Sequence, residues 1–173
     1  LNPKTEYASM MKGHTFAPPS AERHLVFAEA LKNMAAALAK LRRHRHLARE
    51  IGLCLRSQDY TAQAAAATLP ALTAHDSEAA PLLRQLFDRF FVPAQHYRST
   101  MVWLGGLVPV SGCQMDLFQD PRERQFLDRL DRAVDRLNAR YGGTAVAPAA
   151  LLDQRIKPWH PRDAAPERFR QTY

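Results

Sequence analysis

The change of hydrophobic period along the chain constrains its fold more than any other feature. Two stretches carry an apolar residue at every third or fourth position, which is the spacing of an amphipathic helix. The first contains Phe27, Leu31, Met34, Leu38 and Leu41, and the second contains Leu82, Leu83, Leu86, Phe87 and Phe90. Between them, from Glu50, apolar and other residues alternate through Ile51, Leu53 and Leu55, a pattern typical of a half-buried strand.

Turn and cap residues indicate where these elements begin and end. Ser20 follows Pro18-Pro19 and is a typical N-cap for the first helix, while 76–78 opens the second helix and Pro93 stops it. The alanine-rich run 62–72 has helical propensity, but it contains Pro70 and follows a turn-like segment, so we interpret it as a strand. A further strand is expected over 97–107.

The order of elements over residues 9 to 108 is therefore strand, helix, strand, strand, helix, strand. This order predicts an α+β fold of the split βαβ (βαββαβ) type, with a four-stranded antiparallel sheet and both helices on one face. Asp120, Pro121 and Glu123 predict the start of a C-terminal helix, which Gly142-Gly143 ends. The expected division is a basic linker (1–8), the sheet domain (9–110), a peptide (111–119), a helix with a short strand (120–147) and an irregular tail (148–173).

Charge and cysteine content narrow the possible partners. The chain has 24 Lys and Arg against 17 Asp and Glu, a formal net charge of +7, which favours an anionic partner and above all nucleic acid. No apolar run reaches the roughly 18 residues of a membrane span, so we expect no membrane association. Cys54 and Cys113 lie far apart, which fits a reducing, cytoplasmic location. The start at Leu1 rather than Met suggests a piece of a longer protein.

Three local stretches, in this order of elements, resemble the little-finger domain of Y-family translesion DNA polymerases, in particular UmuC-like catalytic subunits. Residues 12–16 resemble the segment between linker and first strand, and 97–105 resemble the last strand of the sheet. Residues 114–118 with the helix 130–142 resemble the sliding-clamp peptide and the trailing helix of that subfamily. The resemblance covers about residues 9 to 145.

The resemblance implies a domain that holds damaged or template–primer DNA by its phosphates, beside a palm domain that performs nucleotidyl transfer with Mg²⁺. It further implies a role in DNA repair and the SOS response, with a bacterial sliding clamp and other mutasome subunits as partners. The clamp would bind Gln114, Met115, Asp116, Leu117 and Phe118. The chain has no strand with paired metal-binding carboxylates, so we expect the fragment to have no cofactor and no activity of its own.

Candidate contacts with DNA follow from the same resemblance and from the positions of polar side chains. They are Lys4, Ser9, Lys12, His14, Arg56, Gln63, Arg98 and Trp103. An ordinary solvated strand is the alternative explanation for the first four, and packing on a neighbour is favoured over base stacking for Trp103. Where relatives often carry basic residues on the third strand, this chain has Ala64 to Ala67, which suggests a weaker grip.

Other charged and apolar patterns have simpler interpretations. The run 42–46 places cations in the last turn of a helix, where the helix dipole favours them. In the C-terminal helix, Asp128, Asp131 and Asp135 alternate with arginines, which is typical of a solvated face. Leu117 and Phe118 could staple that helix to the sheet instead of binding a clamp. A non-catalytic adaptor and a basic RNA-binding domain remain as alternative functions.

Overall fold

The computed structural model of the chain describes residues 7–112, 121–142 and 145–147. Its elements, in chain order, are β1 (Ser9–Ser20), α1 (Arg23–Arg43), β2 (His46–Ser57), β3 (Ala62–Thr73), α2 (Asp76–Phe90), β4 (Tyr97–Gly105), β5 (Val108–Pro109), a 3₁₀ turn (Val110–Gly112) and α3 (Pro121–Tyr141). This order confirms the βαββαβ prediction. The short strand expected within 120–147 remains a prediction, because part of that region lies outside the described residues.

The strands form an antiparallel sheet in the order β1-β4-β2-β3. The first and last strands in sequence are therefore neighbours, as the split βαβ topology requires. The two-residue β5 extends the sheet by pairing with the beginning of β2, through His46 opposite Pro109 and Leu47 opposite Val108. The sequence did not predict β5, because two residues are too short to show a period.

Both helices pack on one face of the sheet and form the core with it. The sheet residues at most 1% exposed on that face include Met10, Ile51, Leu53, Leu55, Thr100, Val102 and Leu104. The helical stripes predicted from the sequence supply the opposite wall, with Leu38, Leu41, Leu83 and Phe87 all fully buried. Burial on this scale is the main stabilising contribution to the domain. The other face of the sheet is left without a covering element among the described residues.

The alanine-rich run is a strand because of its pairing and its proline. Ala62 to Thr68 pair residue by residue with β2, and the register then shifts before the next pair at Thr73. Pro70 lies inside that irregular interval, where its missing N–H group breaks no regular ladder bond. β3 is also an edge strand, which is where proline is tolerated.

The first helix begins slightly later than the sequence suggested. α1 starts at Arg23 with Glu22 in the N-cap position, and no side chain caps its first N–H groups. The Ser20 hydroxyl instead accepts a hydrogen bond of 3.1 Å from the Glu22 N–H. Ser20 therefore orders the turn that leads into the helix and does not cap it.

The third helix is attached to the domain by a largely buried cation. The Arg42 guanidinium donates two parallel hydrogen bonds to Asp135 on α3, at 2.8 and 2.7 Å. It also donates to Asp76 at 2.8 Å and to the Ala74 carbonyl at 2.6 Å. We call Arg42, Asp76, Asp131 and Asp135 the Arg42 junction, since Asp131 lies 3.8 Å from the same guanidinium. The junction joins α1, the start of α2 and α3.

The charges of the junction perturb one another. Burial alone would lower the pKa of Arg42, but the hydrogen bonds and charges of Asp135 and Asp76 outweigh it and hold that pKa above its usual value. Burial raises the pKa of Asp76, against the lowering influence of Arg42. The neighbouring His75, 4% exposed, contacts Asp131 through Nδ1 at 2.7 Å. The interpretation of these aspartates as a solvated face is therefore wrong for Asp131 and Asp135, whose partners are distant in sequence.

Candidate nucleic-acid interface

The uncovered face of the sheet is a regular grid that the strand register defines. Residues directly opposite one another in an antiparallel pair point to the same face. The four rows across the strands, written from β1 to β3, are Ser9-Gly105-Glu50-Thr68, Met11-Trp103-Gly52-Ala66, Gly13-Met101-Cys54-Ala64 and Thr15-Ser99-Arg56-Ala62. We call these residues the open face.

Small, uncharged residues make up most of the open face. Glu50 and Arg56 are its charged members, and they lie in the rows at opposite ends. Burial raises the pKa of the Cys54 thiol, although Arg56 lowers it, so this cysteine belongs to the neutral part of the surface. A surface of this composition is flat enough for a large rigid partner to approach the backbone closely.

Trp103 is the largest side chain on the open face, and it lies flat on the strand beside it. A Cβ atom added to Gly52 would be only 2.0 Å from Cε2 of the Trp103 indole, so the ring occupies the space that any other residue would fill. Met11, in the same row, is 54% exposed. Trp103 is half-buried, so one side of its ring packs on β2 and the other side can be reached from solvent.

Basic side chains flank the open face at both ends of β2. Arg56 is exposed at one end, where the guanidinium carbon of Arg98 also lies 4.5 Å from the ring centroid of Tyr60. Arg49 is exposed at the other end, next to Glu50. Arg49 and Arg56 are seven positions apart in the sequence, about 23 Å along an extended strand. The major groove of B-DNA is about 12 Å wide, so cations this far apart would extend beyond both of its walls.

The proposed contact residues do not all lie on this face. Lys12 is opposite Val102, and His14 is opposite Thr100, so both share the face of the helices at the β1 edge. His14 Nδ1 lies 3.0 Å from a carboxylate oxygen of Glu29 on α1. Gln63 is opposite Leu55 and has the same orientation at the β3 edge.

The structure thus brings Ser9, Arg56 and Trp103 together on the open face, with Arg98 beside it, and leaves Lys12, His14 and Gln63 at the rims. Lys4 and the peptide 114–118 lie outside the described residues. Whether any of these side chains contacts DNA stays a prediction. Sequence reasoning placed Met101 with Trp103 at positions that face DNA in relatives, but it missed Arg49 and Met11.

The turn between β2 and β3 is ordered by one carboxylate. Asp59 accepts hydrogen bonds from the hydroxyls of Ser57 and Thr61, which lower the pKa of Asp59 below its usual value. This turn stands next to Tyr60 and Arg98, at the basic end of the open face. It therefore fixes the geometry of that end.

Metal-binding clusters and membrane-spanning helices are both absent from residues 7–112, 121–142 and 145–147. Within those residues, no three or more His, Cys, Asp or Glu side chains are grouped so that they could hold a metal ion. No helix there is both long and apolar enough to cross a bilayer.

Comparison with known proteins gives one match over most of the chain. The model of the impB/mucB/samB family C-terminal domain matches residues 8–117. No curated protein matches the chain.

Solved structures with a similar fold include an insertion ternary complex of Dbh DNA polymerase, 14% identical, with a TM-score of 0.47 over 58% of this chain. DinB from Sulfolobus solfataricus gives the same identity and TM-score. The chain spans 29% of the length of each of these two structures. A complex of the beta-clamp processivity factor with the little finger domain of PolIV is 17% identical, with a TM-score of 0.44 over 64% of this chain and 99% of the other.

Proposed function

Because the chain belongs to the impB/mucB/samB family through its C-terminal domain, we propose that it holds template–primer DNA for an error-prone translesion polymerase and tethers that enzyme to the sliding clamp. The family match confirms the resemblance to a Y-family little-finger domain. Damage tolerance within the SOS response, contacts with other mutasome subunits, a cytoplasmic location and a Mg²⁺-dependent palm in the parent protein belong to the same proposal.

The open face is the observation that carries the DNA-binding part of this proposal. It consists mostly of small side chains, it lacks a covering element among the described residues, and it has cations at both ends. Duplex DNA has phosphates on both sides of a groove, and phosphate contacts position a protein without reading sequence. A sheet laid into the major groove would bring its small residues towards the base edges, and Arg49, Arg56 and Arg98 towards the backbones. We therefore expect weak binding that is independent of sequence.

The salt dependence of binding tests this orientation. We expect the domain to bind an unrelated set of duplexes with dissociation constants on the order of 10⁻⁴ to 10⁻⁶ M near physiological salt. Arg56→Gln should reduce the slope of log K against log salt by about 0.9 if Arg56 neutralises one phosphate. Fluorescence anisotropy with a labelled duplex measures both quantities.

A matched control comes from α2, on the other side of the sheet. Arg89 is exposed there, so Arg89→Gln removes the same charge without changing the open face. Equal slopes for the two variants would contradict the proposed orientation, since the effect would then depend on net charge alone. Strong discrimination between unrelated duplexes would contradict binding through phosphates.

The clamp tether is supported by the residues 114–118, Gln-Met-Asp-Leu-Phe, which lie outside the described residues and directly before α3. In an extended peptide, an amide side chain can fix the register while two adjacent large apolar side chains fill a pocket. Leu117 and Phe118 would be that pair, and Met115 could adapt to the wall of the groove.

Replacing Leu117 and Phe118 together with alanine tests the tether. We expect loss of binding to purified bacterial sliding clamp, with an unchanged melting temperature and unchanged DNA affinity. Gln125→Ala, on the exposed surface of α3, is a control outside the peptide. Unfolding of the double variant would favour the helix-staple interpretation, and persistence of clamp binding would refute the tether.

A non-catalytic adaptor is the second candidate for the parent protein. The neutral third strand, with Ala62, Ala64 and Ala66 on the open face, favours the adaptor. An active polymerase needs firmer binding of the duplex than an adaptor does. Primer extension by the complete parent protein, with a template–primer, Mg²⁺ and all four triphosphates, separates the candidates. Extension would support the polymerase, and its absence would support the adaptor.

A further inference from the structure

The third helix has three different faces, and among the described residues its ion pairs with the rest of the domain lie on one of them. The acidic face, with Asp128, Asp131 and Asp135, points to Arg42 and His75. An apolar face is left exposed instead of being packed on the sheet. We call its side chains the α3 stripe: Phe126 (61% exposed), Leu130 (47%), Leu137 (43%) and Tyr141 (65%).

Helical geometry separates the stripe from the attachment. At about 100° per residue, Phe126, Leu130 and Leu137 lie within about 40° of one another, whereas Asp131 and Asp135 are about 140 to 180° from Phe126. The stripe is therefore directed away from the Arg42 junction. Its exposed apolar area is on the order of 400 Å², a size that on soluble proteins commonly marks an interaction surface.

A row of cations borders the stripe on one side. Arg129, Arg136 and Arg140 are all exposed and lie within about 40° of one another around the helix. Arg129 and Arg136 are seven residues apart, as are Leu130 and Leu137, so both rows repeat with the period of a helix-pairing seam. The opposite border carries half-buried Leu127 and Val134.

Two possible occupants from this chain have the wrong charge. The segment 148–173 contains five Lys and Arg against three Asp and Glu, so it would add positive charge beside the arginines. A second copy paired antiparallel would place the arginine rows against each other, and like charges so placed are destabilising. The formal net charge of +7 opposes self-association as well.

We propose that the α3 stripe is the docking surface for an acidic amphipathic helix of a partner protein. Leu130 and Leu137 would pack against its apolar side chains, and Arg129 and Arg136 would face its carboxylates. DNA fits this surface less well, because four exposed apolar side chains offer no hydrogen bond or charge to its phosphates. The Arg42 junction holds α3 so that this face stays directed outwards.

Two synthetic helical peptides test the proposal with the complete chain. Both carry leucine at the positions that face the stripe, and they differ only in having glutamate or lysine at the flanking positions. We expect the glutamate peptide to bind in the micromolar range and at least tenfold more tightly than the lysine peptide, measured by fluorescence anisotropy. Arg129→Glu with Arg136→Glu should reverse this preference. Equal binding of the two peptides would overturn the proposal.

A pair of double variants tests whether the peptide binds the α3 stripe in particular or any exposed apolar side chain. Leu130→Ser with Leu137→Ser should weaken the glutamate peptide at least tenfold while leaving the melting temperature unchanged. The control, Val92→Ser with Val110→Ser, replaces two valines elsewhere on the surface that are each 47% exposed, and it should not change the affinity for the peptide. Equal loss in both variants would overturn the proposal.

Three other results would assign the stripe to a different occupant and so refute the proposal. The first is a dimer in sedimentation that dissociates in the leucine variant. The second is peptide affinity that rises at least tenfold after removal of 148–173. The third is DNA affinity that falls as much in the leucine variant as in the arginine variant.

Discussion

Removing the cation of the Arg42 junction should destabilise the domain far more than removing its neighbour in sequence. Arg42→Met keeps an unbranched apolar stem but removes the guanidinium, and so it leaves Asp76, Asp131 and Asp135 close together without a cation. Arg42 is 14% exposed, and its partners Asp76 and Asp135 are 25% and 28% exposed. Removing one member of a fully buried pair costs about 3–5 kcal/mol, whereas exposed pairs contribute about 0.2–1 kcal/mol.

The partial exposure of the aspartates places the expected loss below the fully buried limit. We expect Arg42→Met to lower the free energy of unfolding by about 2–3 kcal/mol, which corresponds to a melting temperature lower by roughly 6 to 12 °C. Arg42→Lys, which keeps the charge but loses the bidentate geometry, should lose about half as much. Chemical denaturation with circular dichroism detection measures each value.

The same variant has an expected pH dependence. Because burial raises the pKa of Asp76, the folded protein favours its protonated form, and that contribution to stability is lost as pH rises through the raised pKa. Without Arg42, the influence that lowers the pKa of Asp76 disappears, so charging the carboxylates costs more at neutral pH. The stability deficit of Arg42→Met should therefore be largest near pH 7 and smaller near pH 4.

Arg43→Met is the matched control, since Arg43 is the adjacent residue of α1 and is exposed. Its loss should be within about 0.5 kcal/mol of zero, as for most surface substitutions. If the two variants lose the same stability, or if the deficit of Arg42→Met grows as pH falls, the account of the junction is refuted.

Three other predictions concern the open face, the β2–β3 turn and the chain as a whole. Gly52→Ala should displace the Trp103 indole into water, which would shift its fluorescence to longer wavelength in a Trp159→Phe background. Ala66→Ser, in the same row, should cause no shift. An unshifted spectrum for Gly52→Ala would contradict the packing of Trp103 on Gly52. Titration of the Asp59 carboxyl by NMR should give a pKa below that of the same residue in the Ser57→Ala variant. A carboxyl with a lowered pKa stabilises the fold only while it is ionised, so the turn should become less stable as pH falls through the pKa of Asp59. An equal pKa in both proteins would contradict the hydrogen bonds. The isolated chain should incorporate no nucleotide in a primer-extension assay, with a complete Y-family polymerase as the positive control, and extension above background would refute that expectation.

Local patterns in the sequence predicted the helices and strands, because the apolar residues of each element repeat with the period of the face that it buries. The stripe from Phe27 to Leu41 must face the core in any arrangement, and so it identified α1 correctly. Pro70 decided correctly between a strand and a helix for the alanine-rich run. The two-residue β5 could not be predicted, because its pairing with His46 and Leu47 depends on tertiary contact alone.

The sequence predicted less well which face of the sheet each polar side chain points to. Lys12 and His14 were expected at a phosphate surface, but strand pairing sets them on the helix side of β1. The sequence alone did not indicate this, because the burial of Met10, which shares their face of the strand, is known only from the structure. Asp135 gave no such indication, since its partner Arg42 is 93 residues away.

Because the open face is nearly neutral, its contacts with phosphates alone would not determine how long a polymerase stays on DNA. A phosphate contact with a dissociation constant near 10⁻⁴ M would seldom persist for a free domain at low concentration. Tethering to a clamp on the same duplex would supply a local concentration on the order of 1 mM, at which that contact would be occupied about nine tenths of the time. Each contact could still break readily as the duplex advances by one base pair. Under the proposed tether, retention would come from the attachment and free movement along the duplex from the small side chains of β3.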